Sequence, residues 1–169
     1  MATELYDLTV PSFTRGLRAL SGLLDKAVAH AEATGVDPET YLSLRIINDM
    51  NPLLKQIQIA CDSPKLCIAR LSDVPAPVHD DSETTIAELK ARIDQTLAYI
   101  ASVPREAIDG QEAKPVVLKF PGGELPFLGQ AYVTGFAIPN FYFHVTTAYA
   151  LLRGAGVSLG KRDYMGAPG

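Results

Sequence analysis

The sequence has few of the residues on which several classes of protein depend. It contains only two cysteines, Cys61 and Cys67, which lie six positions apart in a predicted helix. That spacing places them on opposite faces and too far apart for a disulfide bond. Two unpaired thiols fit a reducing compartment, so we expect a cytoplasmic protein.

An excess of basic residues and a long apolar run are also lacking. The chain has 15 Lys and Arg residues against 19 Asp and Glu, a formal net charge of −4. It therefore lacks the excess of basic residues with which proteins bind nucleic acids. No apolar stretch reaches the roughly 18 residues of a membrane-spanning helix. The first residues also lack the basic and then apolar order of a signal peptide. We expect neither a nucleic-acid nor a membrane partner.

What the sequence does contain is ordinary globular composition. Hydrophobic residues make up 47% of the 169 residues and charged residues 20%. This balance is unlike that of disordered chains, and the length suffices for one substantial core. The sequence therefore predicts a single domain over residues 1–169, with no internal repeat.

Apolar residues spaced three or four apart predict two long helices in the first half of the chain. The first runs from Pro11 to about Thr34, where Gly35 is a left-handed stop, and residues 4–10 can add a helical turn before Pro11. Asp37 and Pro38 then start a short helix to about Leu44. The second long helix is capped by Asn48 or Asp49, has Pro52 in its first turn, and is expected to kink at Pro64.

The second half contains two further helices, and between them the spacing of apolar residues changes from helical to alternating. After a proline-rich connection over residues 72–82, the capping box of Thr85 and Glu88 starts a third helix that ends near Ser102. Alternation over 116–120 and 125–127 predicts a β-hairpin closed on Gly122 and Gly123.

A fourth helix is predicted from about Gln130 to Arg153, with a kink at Pro139 and an extended tail over residues 157–169. Four amphipathic helices favour an all-α four-helix bundle. The long connections before the third and fourth helices are more than a simple up-and-down bundle needs.

Several segments are similar to one known family. The chain resembles the bacterial and fungal family called domain of unknown function 1993, within the DinB/YfiT-like superfamily of bundles with crossover connections. The matching segments lie at 10–17, 24–27, 30–31, 49–50, 52–53, 58–62, 118–125 and, most specifically, 139–150 (Pro-Asn-Phe-Tyr-Phe-His-Val-Thr-Thr-Ala-Tyr-Ala).

The resemblance implies the fold but no established activity. Many members of the wider superfamily bind a divalent metal through one histidine on the second helix and a pair at i and i+4 on the fourth. His144 fits one position of that pair, but its partner position holds Ala148, and the second-helix position holds Asp62 or a neighbour. The triad is incomplete, so we expect no metal or other cofactor.

His144 is the leading candidate for a site. It shares one face of an apolar helix with Asn140 and Thr147. Three roles remain open: a core histidine hydrogen-bonded to Asp62 or a carbonyl, a pocket residue acting as general base or binder, and a metal ligand.

On the second helix, Gln58 and Asp62 form an i, i+4 pair beside the apolar stripe. They are either boundary residues partly in solvent or a group in which Asp62 orients His144 across the bundle. We take His144 and Asp62 as catalytic candidates. The binding candidates are Gln58, Asn140, Tyr142 and Thr147.

Three functions compete on this evidence. The first is a small-molecule pocket lined by His144 and Asp62 in a metal-independent isomerase, cyclase or transferase. The second is a non-catalytic binding or interaction module, paired as a homodimer through aromatic residues that cannot all face one core. The third is a metalloenzyme with a reduced ligand set, which two protein ligands would support weakly.

Overall fold

The computed structural model describes residues 4–166. Its helices are α1 (Leu5–Thr34), α2 (Leu53–Ser72), α3 (Ile86–Ser102), α4 (Gly129–Tyr132), α5 (Ile138–Gly154) and α6 (Lys161–Met165), and a hairpin of β1 (Pro115–Phe120) and β2 (Gly123–Leu128) precedes α4. Short 3₁₀ helices lie at Pro38–Ser43 and Arg105–Ala107.

The four long helices form a bundle in which α2 packs mainly on α5 and α3, while α1 packs on α3 and α5. The order around the bundle is therefore α1, α3, α2, α5, and the steps from α1 to α2 and from α3 to α5 cross it diagonally. This arrangement confirms the four-helix bundle with crossover connections and a hairpin between the third and fourth long helices. Within residues 4–166, no helix combines the length and apolar character needed to cross a membrane.

Helix α1 begins at Leu5, so residues 5–10 form the additional helical segment that the sequence allows before Pro11. Pro11 removes one backbone hydrogen bond, but Leu5 and Val10 are buried in the core and offset that cost. The amide of Tyr6 also donates to Asp109 Oδ1 at 2.8 Å, which caps the helix from a distant segment. The end of α1 is as predicted, because Gly35 adopts the left-handed conformation (φ 69°).

Glycine at position 16 lets α1 approach α5 closely. A Cβ atom at Gly16 would lie 2.5 Å from Cε1 of Phe141, a fully buried ring. Phe141 also packs edge-on against Phe13 of α1, with ring centroids 5.1 Å apart. The contact between these helices therefore depends on the missing side chain at Gly16.

Gly16→Ala is expected to lower the free energy of unfolding by about 1 to 3 kcal/mol, because the new methyl group overpacks a rigid contact. Gly22→Ala is the matched control in the same helix, since a Cβ there meets nothing within 4 Å. It should raise stability by up to about 1 kcal/mol. Urea unfolding followed by circular dichroism measures both, and equal effects of the two substitutions would contradict this account.

The start of α3 is fixed by neighbouring residues in the sequence, whereas the start of α2 depends on an earlier part of the chain. Helix α3 has the predicted capping box: Thr85 Oγ1 accepts from the amide of Glu88, whose carboxylate accepts from the amide of Thr85. Helix α2 instead begins after Pro52 without a side-chain cap, so the predicted caps Asn48 and Asp49 are wrong. The amide of Leu53 donates to the carbonyl of Leu44, an earlier part of the chain.

The hairpin is confirmed, with a different turn. Phe120 pairs with Gly123, so the loop residues are Pro121 and Gly122 rather than the two glycines. Gly122 has a φ of 101°, and proline followed by a residue with positive φ is the requirement of a type II turn. Val116 and Leu118 of β1 point into the core, which attaches the hairpin to the bundle.

The fourth long helix is interrupted where the sequence predicts a kink at Pro139. Residues Val133–Ala137 form a π-helical turn between α4 and α5. Pro139 has no amide hydrogen for the α-helical ladder, which accounts for an irregular turn directly before it. Helix α5 then ends at Gly154, as predicted.

The prediction of an extended tail over residues 157–169 is wrong at residues 161–165, which are helical. Residues 161–165 form α6, whose first turn is held by Asp163 Oδ2 accepting from the amide of Gly160 at 2.8 Å. Lys26 of α1 pairs with Asp163 at 2.6 Å, and Val157 and Leu159 are buried. Residues 167–169 lie outside the described residues.

Candidate functional site

His144 is buried in the interface between α5 and α2, but its partner is not Asp62. Its Nδ1 lies 2.7 Å from Gln56 Oε1, and Gln56 Nε2 donates to the carbonyl of Asn51 at 2.9 Å. The second bond fixes the amide orientation, so Nδ1 of His144 is the donor. Burial lowers the pKa of His144 below its ordinary value, so the imidazole is neutral near pH 7.

Gln56 was missed by the sequence analysis, although a signal was present. It lies at helical spacing between Leu53 and Ala60, both fully buried, so it is a polar residue within an apolar stripe. A buried amide of this kind requires polar partners. His144 therefore fits the core-histidine alternative, with Gln56 in place of Asp62.

Asp62 belongs to a separate charged cluster between α2 and α3. Its Oδ1 lies 2.9 Å from both Arg92 NH2 and Lys65 Nζ, and Arg92 also pairs with Asp81 and Glu83. The Arg92 side chain is only 2% exposed. We call Arg92 with Asp62, Asp81 and Glu83 the Arg92 cluster. The predicted pair of Asp62 with His144 is wrong, because Arg92 and Lys65 satisfy the carboxylate on the other side of α2.

The Arg92 cluster fastens the connection between α2 and α3. Asp81 and Glu83 lie on that connection, and Gln58 Nε2 donates to Glu83 Oε2 at 2.9 Å. A hydrogen bond from Lys55 and then those from Arg92 lower the pKa of Asp81. Burial alone would raise the pKa of Glu83, but hydrogen bonds led by that from Arg92 bring it below its ordinary value. Both carboxyl groups are thus ionised at neutral pH.

His79, which also lies on this connection, is half-buried. Its Nδ1 lies 3.1 Å from Lys65 Nζ, which can only donate, so Nδ1 is the acceptor and the ring is neutral. Burial first, and then the charges of Lys65 and Arg92, lower the pKa of His79.

The four predicted binding residues are in four different places. Gln58 donates to Glu83 of the Arg92 cluster, and the Tyr142 hydroxyl faces α1, 3.5 Å from the carbonyl of Ser12. Thr147 donates to the carbonyl of Phe143 in its own helix. Only Asn140 and Asp62 border a common cleft, so the predicted pocket around His144 is not the arrangement found. A catalytic role for His144 or Asp62 stays a prediction.

A cleft of about 410 Å³ lies between α2, the hairpin and the π-helical turn. Its walls are largely apolar, and three of the large hydrophobic residues that the protein exposes, Leu66, Phe120 and Leu125, lie on them. The lining residues are Ile59, Asp62, Ser63, Leu66, Arg70, Leu118, Lys119, Phe120, Leu125, Tyr132, Phe136, Ala137 and Asn140. This volume falls within the range of small-molecule sites.

The polar groups of the cleft are held in fixed positions. Asn140 Nδ2 donates to Ser63 Oγ at 2.6 Å. Arg70 NH1 donates to the hydroxyl of Tyr132 at 2.8 Å, and its guanidinium lies 5.7 Å from the centre of that ring. Burial raises the pKa of Tyr132 to about 12, so its hydroxyl stays protonated.

A larger groove between α1 and α6 has a different character. It is lined by five cations and two carboxylates, with apolar residues between them: Arg15, Arg18, Lys26, Lys161, Arg162, Asp7 and Asp163. Lys26 is paired with Asp163, and the three arginines lie in solvent. Charges of this kind are well solvated, whereas exposed apolar walls around polar groups are typical of ligand sites.

In the part of the chain that the structure describes, neither the cleft nor the larger groove is lined by a reactive thiol or by a group of metal-ligating side chains. Cys61 and Cys67 are buried, and burial raises the pKa of each thiol to about 12. Among the described residues, no three His, Cys, Asp or Glu side chains are grouped so that they could hold a metal. Ala148 is fully buried and Asp62 is bound to two cations, so these residues do not fit the superfamily's three-histidine site.

The fold and its connections define a DinB-like helical bundle. A DinB family member from Shewanella denitrificans, solved by crystallography, is similar with a TM-score of 0.87 and 43% sequence identity, over 97% of this chain and 93% of that one. The profile of the family described as Domain of unknown function (DUF1993) matches residues 5–165. The chain belongs to that family. No curated protein matches it.

Proposed function

We propose that this domain binds a small, partly apolar organic molecule in the cleft between α2, the hairpin and the π-helical turn. The observation that carries the proposal is the position of Leu66, Phe120 and Leu125, whose side chains are 38%, 48% and 45% exposed on its walls. Exposing apolar side chains around a concave surface is unfavourable unless something covers them.

The polar groups of the cleft favour recognition over turnover. Ser63 donates to the carbonyl of Ile59 at 2.9 Å and accepts from Asn140, so no base activates its hydroxyl. The buried thiols are protonated at neutral pH, and His144 faces Gln56. The binding-module alternative is therefore the better supported one.

The test uses two fluorescent dyes with one aromatic skeleton, neutral phenylnaphthylamine and anionic anilinonaphthalene sulfonate. The double variant Leu66→Ser, Phe120→Ser replaces two apolar side chains on the walls of the cleft by polar ones. We expect the dissociation constant of a bound dye to rise about tenfold or more. Val117→Ser with Leu128→Ser is the matched control, because these residues are 45% and 55% exposed but do not line the cleft.

The control pair should leave both titrations unchanged. Equal weakening by the two double variants, or no binding of either dye to the unaltered protein, would overturn the proposal. Circular dichroism spectra establish that each variant is folded.

A further inference from the structure

The cleft carries an unbalanced positive charge. The charged residues on its lining are Asp62, Arg70 and Lys119. Asp62 is already paired with Arg92 and Lys65, each 2.9 Å away. Arg70 and Lys119 are therefore the charges that a ligand would meet.

Arg70 is the better placed of these two cations. Lys119 lies on the exposed hairpin and is 3.5 Å from Glu124, whereas Arg70 is half-buried beside Tyr132. Only one of its five N–H groups is engaged by a described side chain, the hydroxyl of Tyr132. A guanidinium oriented by one bond has its remaining donors available for a planar anion.

Apolar walls surround this cation. Leu66 lies one turn before Arg70 on α2, and Phe136 stacks with Tyr132 at a centroid distance of 6.0 Å. A ligand that matches the cleft therefore has an apolar body and an anionic group at one end. The low local dielectric beside the aromatic rings strengthens the attraction.

We infer that Arg70 is the anion-recognition residue of this cleft, and that its ligand is an amphipathic organic acid such as an aryl or alkyl carboxylate or sulfonate. The inference rests on the proposed function and adds the class of ligand. A role of Arg70 in α2 alone, as a cation in its last turn, would give no preference for anionic ligands.

The two dyes test this inference because they differ only in the sulfonate. The unaltered protein is expected to bind anilinonaphthalene sulfonate at least tenfold more tightly than phenylnaphthylamine. Arg70→Gln should abolish that difference while the neutral dye binds as before. Arg70→Lys keeps the charge without the planar fork and should retain part of the preference.

Two matched controls locate the effect. Lys119→Gln removes the other cation of the cleft, and Arg15→Gln removes a cation of the larger groove. Both variants should largely keep the preference for the anionic dye. Equal binding of the two dyes at the cleft, or an unchanged preference in Arg70→Gln, would overturn the inference while leaving the proposed function standing. If both dyes bind the double variant Leu66→Ser, Phe120→Ser as tightly as the unaltered protein, the proposed function is overturned instead.

Discussion

Replacing Arg92 by methionine is expected to lower the free energy of unfolding by about 3 to 5 kcal/mol, the range observed when one partner of a buried ion pair is removed. The side chain is 2% exposed and contacts three carboxylates, from Asp62, Asp81 and Glu83. Methionine fills similar apolar space but leaves these negative charges close together. The connection between α2 and α3 then loses its attachment to α3.

Urea unfolding followed by circular dichroism measures this loss, and the slope of the transition shows whether the substitution alters the compactness of either state. Arg18→Met is the control, because Arg18 is exposed and its removal should change stability by no more than about 0.5 kcal/mol. A loss below about 1 kcal/mol in Arg92→Met would contradict a structural role for the cluster.

His144→Ala is expected to cost about 2 to 4 kcal/mol at pH 7.5, from a cavity and from the loss of the donor to Gln56. The carbonyl oxygen of Gln56 would be left buried, since this residue is 1% exposed. Gln56→Ala removes the other partner. If the pair acts as a unit, the double variant should cost clearly less than the sum of the single ones.

The cost of His144→Ala should also shrink as the pH falls. Burial depresses the pKa of His144 below the ordinary 6.5, so the unfolded chain takes up a proton before the native state does. The histidine's contribution is fully present above pH 6.5 and is lost as the pH falls toward the native pKa. His79 has a lowered pKa too, but it is present in both proteins and cancels in the difference. Unfolding titrations at pH 7.5 and 5.5 give this comparison, and a cost that grew at lower pH would count against a neutral native imidazole.

Elements with local signals were predictable from the sequence. The capping box of Thr85 and Glu88 starts α3 within one turn of chain, and Gly35 ends α1 by its own backbone conformation. Distant partners explain the failures. The amide of Tyr6 is capped by Asp109, 103 positions away, and α6 is tied to α1 through Lys26.

The candidate site was predictable only in part for the same reason. The burial of His144 follows from its apolar helix, and the structure confirms it. Its partner does not follow, because Gln56 lies within the apolar stripe of α2 and Asp62 lies beside it, and helix rotation decides which one meets α5. The cleft has walls from three separate segments, so no single stretch of sequence carries its pattern.

The π-helical turn realigns the two parts of the fourth long helix. An α-helix advances about 100° per residue, so a turn that takes in one additional residue offsets everything before it by about that angle. Val133, Ala137, Phe141 and Val145 are all buried although they are spaced four apart. Twelve α-helical residues would rotate Val145 about 120° away from Val133, and the additional residue reverses most of that rotation. Residues 133–137 therefore act as a phase shifter that keeps a stripe of period four on the core.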